Sequence, residues 1–192
     1  MNPTLLSEAD GFFTALPWHM EVEAARKALK SGSLGIVHDD AGHPVAAVRH
    51  ADLIDLAAPD LRSAVPGLAP VIEVDADMTF AEFAASPSVT LLDLDAAYLV
   101  LRDDERSVGV VPAEVIAAHL ASPDFRPPAP VMAGGGGLGD TTLPGQPRTG
   151  LAPIICQEPG CGHLNRLAQY RHGAPPWCQR QEPPRHRLRT GG

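Results

Sequence analysis

The three cysteines of this 192-residue chain all lie in its last 37 residues, as Cys156-x4-Cys161 and then, after sixteen more residues, Cys178. His186 follows eight positions later. The first pair reads Cys156-Gln-Glu-Pro-Gly-Cys161-Gly-His163. Pro159 and Gly160 can turn the backbone sharply there, as it must turn if both sulfurs are to face one ion. Three soft thiolates and one borderline imidazole, with no position left for water, make the chemistry of a structural Zn2+ site. Cys156, Cys161, Cys178 and His186 are therefore the expected ligands. His163, too near Cys161 for an easy chelate, and His172 are the other candidates for the fourth place. A disulfide between Cys156 and Cys161 would leave Cys178 odd, and three ordinary buried thiols are the plainest alternative. Cys161 beside His163 also has the residue types of a nucleophile and its base, but with Cys156 so close metal ligation is the simpler chemistry.

Other candidate chemistry is sparse. The acid pairs Asp75/Asp77, Asp93/Asp95 and Asp103/Asp104 sit at expected turns or helix starts, where short acids bond backbone amides. His38, His43 and His50 crowd one hairpin, a setting in which exposed turn histidines are commoner than ligands. No Gly-x-Ser-x-Gly elbow, HExxH helix or GxGxxG turn occurs. The run Gly134–Gly137 has no strand before it and no Lys after it, which excludes a phosphate-binding loop. The expectation is a protein that is not an enzyme.

Charge and composition divide the chain. Residues 1–122 carry 7 Lys/Arg against 19 Asp/Glu, whereas residues 123–192 carry 8 Arg against 4 acids. An Arg-rich segment suits bidentate recognition of carboxylate or phosphate. The acidic front half would repel a nucleic acid, so docking on an acidic protein or on the chain's own front half fits better. Between the halves, residues 123–153 hold seven Pro and seven Gly and are expected to form a flexible linker. The organisation expected is thus a front domain over 1–122, a linker over 123–153 and a zinc ribbon with a basic tail over 154–192. The opening residues lack a basic and apolar leader, and no run approaches the ~20 apolar residues of a membrane span. A cytoplasmic setting, where thiols stay reduced, follows as the expectation.

The front half must supply the supporting elements. Apolar spacing predicts a helix over Glu21–Lys30, strands Leu34–Val37 and Pro44–Val48 around the turn Asp39-Asp-Ala-Gly42, and a helix over Ala51–Leu56. A strand Val71–Val74 and a helix Met78–Ala85 follow. Strands Ala97–Leu101 and Val108–Val111 and a helix Ala113–Leu120 complete the plan. The order helix-strand-strand-helix occurs twice, which implies two similar units packed together.

Gly35-Ile-Val-His-Asp-Asp-Ala-Gly-His-Pro-Val-Ala-Ala-Val-Arg-His-Ala-Asp52-Leu53 resembles the second half of a CBS domain. Tyr98-Leu-Val-Leu-Arg-Asp-Asp-Glu-Arg-Ser-Val-Gly-Val-Val-Pro-Ala-Glu-Val-Ile116 is similar to a second, degenerate copy. The resemblance spans roughly residues 16–121. It implies an α+β fold of tandem CBS-like α/β repeats, and with it a homodimer. In nucleotide-binding members a hydroxyl residue after the second strand and an Asp three positions on hold the ligand. The first copy has Arg49 and Asp52 at those places; the second has Pro112 and Val115. Asp52 could accept ribose hydroxyls and Arg49 could pair a phosphate, or Asp52 caps its helix and Arg49 is a solvated charge.

The function these features suggest is a non-enzymatic regulatory or adaptor protein that couples CBS-like dimerisation or sensing to a zinc-binding ribbon recognising a protein partner. Three alternatives stay open: an adenine-nucleotide sensor, a nucleic-acid-binding zinc protein, and a modifier conjugated through its C-terminal glycine. The last rests on Leu188-Arg-Thr-Gly-Gly192, which looks like the tail of ubiquitin-like proteins, with Gly192 as the conjugated residue. Leu188 is the one apolar residue after His186, so that end is expected to be disordered.

Overall fold

The computed structural model describes Leu6 and residues 11–94, 96–123, 125, 150–171, 173–181 and 184–190. The first unit runs β1 (Thr14–Pro17), α1 (Val22–Ala28), β2 (Leu34–His38), β3 (Pro44–Arg49) and α2 (His50–Ile54). A short helix α3 (Leu61–Ala64) and a 3-10 turn (Val65–Gly67) lead into the second unit. That unit repeats the order as β4 (Val71–Asp75), α4 (Phe80–Ala85), β5 (Tyr98–Asp103), β6 (Arg106–Pro112) and α5 (Ala113–Leu120), with a 3-10 segment (Pro87–Leu94) after α4. A two-stranded ribbon, β7 (Ala152–Ile155) and β8 (Leu164–Leu167), completes the described chain.

The two units share one topology. In each, the first strand pairs parallel with the second across a helix, and the second pairs antiparallel with the third through a hairpin. Both hairpins turn tightly. Gly42 takes φ 78° while the Asp39 carboxylate accepts from the backbone N–H groups of Ala41 and His43; Asp104 takes φ 51° in the second. These left-handed positions favour Gly and Asp. α4 starts on a reciprocal cap, Thr79 Oγ1 accepting from Glu82 N and Glu82 Oε2 accepting from Thr79 N.

The central strands are apolar because both their faces are covered. β3 and β5 are each buried at five of six positions. Leu16, Val37 and Val48 pack with Ala25 and Leu29 of the α1 region. The opposite faces meet between the sheets, where Ile36 and Ala47 of the first unit pack on Val71, Tyr98, Val100 and Val110 of the second. Ala47 N donates to Ala69 O at 2.9 Å across that seam. Two α/β units packed face to face are thus what the repeated apolar pattern demanded.

All nine expected elements recur within two residues at each end, the helix over Ala113–Leu120 with the same bounds. The expected helix Ala51–Leu56 ends at Ile54 instead. β1 and α3, both only four residues long, lie outside the expected elements, as do the two strands of the ribbon. A second difference lies at the C-terminal end. Leu188 is buried at 3 % exposure, its N–H donates to Pro176 O at 2.8 Å, and Arg189 O accepts from Gln157 N at 2.9 Å. The expected disorder beyond His186 is therefore corrected through Thr190, because the single apolar residue of that stretch is used in the core. Gly192 lies outside the described residues, as do His172 and positions 124 and 126–149 of the expected linker.

Pairing also begins before residue 154. Glu73 and Leu151 exchange backbone hydrogen bonds at 2.7 and 2.8 Å, so the approach to β7 lies along the outer edge of β4. Ser88 Oγ, fully buried, donates to Gly150 O at 2.9 Å. Ala152, Cys156, Leu167, Tyr170, Cys178 and Leu188 of the ribbon join Ile72, Val74, Phe83 and Leu99 in one apolar cluster. The ribbon is part of the second unit's core.

Candidate metal centre

Each ligand is placed by a local backbone device. β7 ends at Ile155 and hands Cys156 to a turn closed by Cys156 N donating to His163 O at 2.9 Å and Cys161 N donating to Glu158 O at 2.9 Å. Gly160 and Gly162 take φ 77° and 58°, which lets the turn reverse twice within three residues. Cys178 and His186 face each other across a second loop, where Cys178 N donates to His186 O at 3.0 Å. A Trp177–Arg187 bridge flanks that loop, and the Arg187 guanidinium stacks 4.3 Å from the Trp177 ring centroid.

The four ligand atoms lie within 4.8 Å of one another. Cys161 Sγ is 3.6 Å from Cys178 Sγ, and Cys156 Sγ is 3.3 Å from His186 Nε2. A tetrahedral Zn2+ with ordinary bond lengths separates two sulfurs by about 3.8 Å and a sulfur from a nitrogen by about 3.6 Å. These two separations lie close to those edges. His186 Nδ1 lies 3.2 Å from Pro184 O, which fixes the tautomer that leaves Nε2 for a metal. Contact with the Cys156 sulfur first, and with Pro184 second, raises the His186 pKa above its ordinary value. Cys156 and Cys178 are buried. When bound, Zn2+ would supply cross-linking charge between the two loops; all four ligands come from protein, as in sites with no catalytic water.

The ligands are tied to the rest of the molecule by residues that ligand spacing could not reveal. Asn165, fully buried on β8, donates to His163 O at 2.9 Å and Ile154 O at 3.3 Å and accepts from Gln179 N at 2.6 Å. Gln179, next to ligand Cys178, accepts from Arg166 N at 2.8 Å and donates to Arg166 O at 3.0 Å. Arg166 then reaches out of the ribbon. Its guanidinium lies 2.9 Å from Asp39 Oδ2 in the first unit and 3.3 Å from Glu73 Oε2 in the second. Arg102 and His43 also approach Glu73, at 3.7 and 3.2 Å. One arginine of the ribbon thus closes ion pairs to both units. A lone Asn or Arg in a short strand carries no periodic signal, and only the excess of Arg in the tail against acid in the front half pointed this way.

The other expected site residues are arranged differently. Asp52 Oδ2 accepts from Arg49 N at 2.7 Å, the geometry of a helix-start cap. The Arg49 guanidinium donates to Tyr98 Oη at 2.9 and 2.6 Å, bonding across the seam between the units. His38 Nε2 lies 2.9 Å from Ser107 Oγ; burial chiefly lowers its pKa, with the Arg102 charge acting the same way. Among the described residues, the histidines of the first hairpin form no metal-sized cluster. Nor is any described helix long and apolar enough to cross a membrane.

No family model and no curated protein matches the chain. Solved structures do. A CBS domain-containing protein of unknown function from Kribbella flavida is 17% identical, with 62% of this chain and 99% of that one covered at a TM-score of 0.43. The cystathionine beta-synthase pair domain of a putative Mg2+ transporter from Shewanella oneidensis is 16% identical, with 62% and 70% covered at 0.38. The cytosolic domain of the Mg2+ channel MgtE in complex with ATP is 22% identical, with 55% and 44% covered at 0.39.

Proposed function

We propose that this chain is a non-enzymatic regulatory or adaptor protein, built of a CBS-like repeat pair and a zinc-bound ribbon that recognises a protein partner. The repeat pair serves homodimerisation or ligand sensing. The observation that carries the reading is the convergence of Cys156, Cys161, Cys178 and His186 within 4.8 Å on a ribbon packed into the second repeat. A closed set of four protein ligands suits structure, and a rigid, Arg-rich surface on a repeat scaffold suits recognition. The adenine-nucleotide reading has less support, since the Asp52 carboxylate holds Arg49 N and the Arg49 guanidinium holds Tyr98.

Elemental analysis of freshly purified, reduced protein tests the metal half of the proposal. About one zinc per chain is expected, lost in Cys161→Ser and reduced in His186→Ala. Zinc-free protein with an intact fold would overturn it. Sedimentation of the same samples reads the dimer, and a monomer at every concentration would remove homodimerisation from the reading.

A further inference from the structure

The two units share one register, and the repeat exposes one difference between them. His38 and Arg102 each follow the bulge of a hairpin and pair with Pro17 and Asp75 on the first strand. Ala15 of β1 therefore stands where Glu73 stands in β4. Backbone bonds repeat with the same offset: Trp18 N donates to His38 O and Ala76 N to Arg102 O, both at 2.8 Å. The segment leading to each first strand also bridges the other unit's third strand, as Gly11–Val110 and Ala69–Ala47.

The outer edges of the two first strands differ. Glu73 turns its N–H and C=O away from β5 and exchanges both with Leu151, while Arg166 spans Glu73 and Asp39 of the facing hairpin turn. On β1, Ala15 is exposed, and among the described residues nothing bonds its backbone on the outer side. A groove of about 430 Å³ lies there instead, between β1 and the turn of the second hairpin. Phe13, Ala15 and Pro17 make it apolar, and His38 joins it with Nε2 2.9 Å from Ser107 Oγ. Phe12, next to Phe13 in the chain, is fully exposed. The charged groups of the lining are all matched. Asp39 is held by Arg166 and two backbone amides, burial keeps His38 neutral, and Glu105 and Arg106 at the rim offset each other. The groove therefore suits an uncharged side chain.

We propose that the outer edge of β1 takes up an extended, uncharged apolar segment of a partner protein, which pairs with Ala15 and fills the groove. The physics is strand addition: backbone bonds to an open edge give hold, and a pocket beside it selects the side chain. The second unit has the corresponding seat filled, by Gly150 and Leu151 of this chain on β4. One residue pair makes that contact, so Pro17, which has no N–H to offer, narrows the β1 edge without closing it. A second copy is the poorer occupant, because its own Gly150–Leu151 segment is already bound to β4. The seat lies at the hairpin end of the first sheet, whereas Arg49 pairs with Leu34 at the other end. It also lies outside the metal centre, so it adds a contact to the recognition proposed for the ribbon and does not rest on it.

The probe is a capped peptide with the sequence of residues 149–155, Thr-Gly-Leu-Ala-Pro-Ile-Ile, which contains the pair seated on β4. It is titrated into full-length, isotope-labelled protein and followed by amide NMR. Saturable shifts centred on Ala15 are expected, with a Kd below about 1 mM and slower exchange of the Ala15 N–H. Ala15→Pro removes the outward N–H, and Ala15→Tyr keeps it but fills the groove; each should weaken binding at least about tenfold. Ala15 is exposed, so both variants should melt close to the parent. Replacing the peptide's Leu with Asp should weaken binding as much. Shifts centred on Glu73, absence of saturation, or equal binding by Ala15→Tyr would overturn the seat. A parent dimer that dissociates in Ala15→Tyr would assign the edge to a second copy and overturn the partner reading.

Discussion

The residue that best shows how the proposed metal centre is built is Asn165. Its side chain satisfies two carbonyls and one amide of the loops that carry the ligands, in a place with no exposure. Replacement by leucine keeps the bulk and leaves those backbone groups unpaired in the interior. A loss of about 2–4 kcal/mol is expected, measured by chemical denaturation of the zinc-loaded protein. Zinc affinity should fall with it, because His163 O also closes the first turn through Cys156 N. Unchanged stability would show that water replaces the amide there. The convergence of Cys156, Cys161, Cys178 and His186 was legible in the sequence, since thiol and imidazole spacing of this kind brings two loops to one point. Asn165 was not, because a buried amide in a four-residue strand differs in no sequence pattern from an exposed one. Arg49 and Asp52 were legible as a pair but open in role: Asp52 sits as a helix cap, whereas the Arg49 guanidinium holds Tyr98 instead of standing as a solvated charge.

At the scale of elements, docking of the ribbon depends on one close approach. Gly150 lies so near β4 that an added Cβ would meet Val74 Cγ1 at 2.8 Å and the Glu73 carbonyl at 3.1 Å. The second contact is backbone and cannot swing aside. Gly150→Val should therefore push the Glu73–Leu151 pairing apart at a cost of about 1–3 kcal/mol. Faster amide exchange at Glu73 and Leu151 and earlier proteolysis near residue 150 would report it, with zinc content unchanged because the ligands lie beyond the displaced pairing. Unaltered exchange would place the docking energy elsewhere. The helices of both units were found from their half-buried faces, and the hairpin strands from short apolar runs bounded by turn residues. β1 escaped both signals, being four residues with a proline at its end. β7 and β8 escaped them for a different reason: their apolar residues face a core belonging to another part of the chain, so the segment read alone looked like a linker end and a small separate ribbon.

Across the whole molecule, the opposite charges of the two halves meet at Arg166. Its partners are an aspartate on the hairpin turn of one unit and a glutamate on the first strand of the other, both mostly buried. Truncating one partner of such a network strands the remaining charges, so Arg166→Met should destabilise the protein by about 2–4 kcal/mol, while Arg189, paired with Glu158 at its exposed surface, should tolerate the same change. The proposed metal would be linked to this point through Cys178, Gln179 and the backbone of Arg166. Chelating the zinc should then be felt beyond the ribbon. Because ribbon and second unit share one apolar cluster, loss of the metal should accelerate amide exchange along β4 and α4, with a smaller change at Ala25 and Leu53 in the first unit's own core. A charge-divided sequence with a Pro/Gly-rich middle suggests two bodies that unfold separately; a shared core and a shared arginine require one cooperative transition in the zinc-loaded state, falling to a lower temperature when the metal is removed. Hydrogen exchange and calorimetry on the same preparation distinguish the two. If β4 exchanges at the same rate with and without zinc, and the heat capacity trace shows two independent peaks, the ribbon is an independent module and Arg166 only a surface clasp.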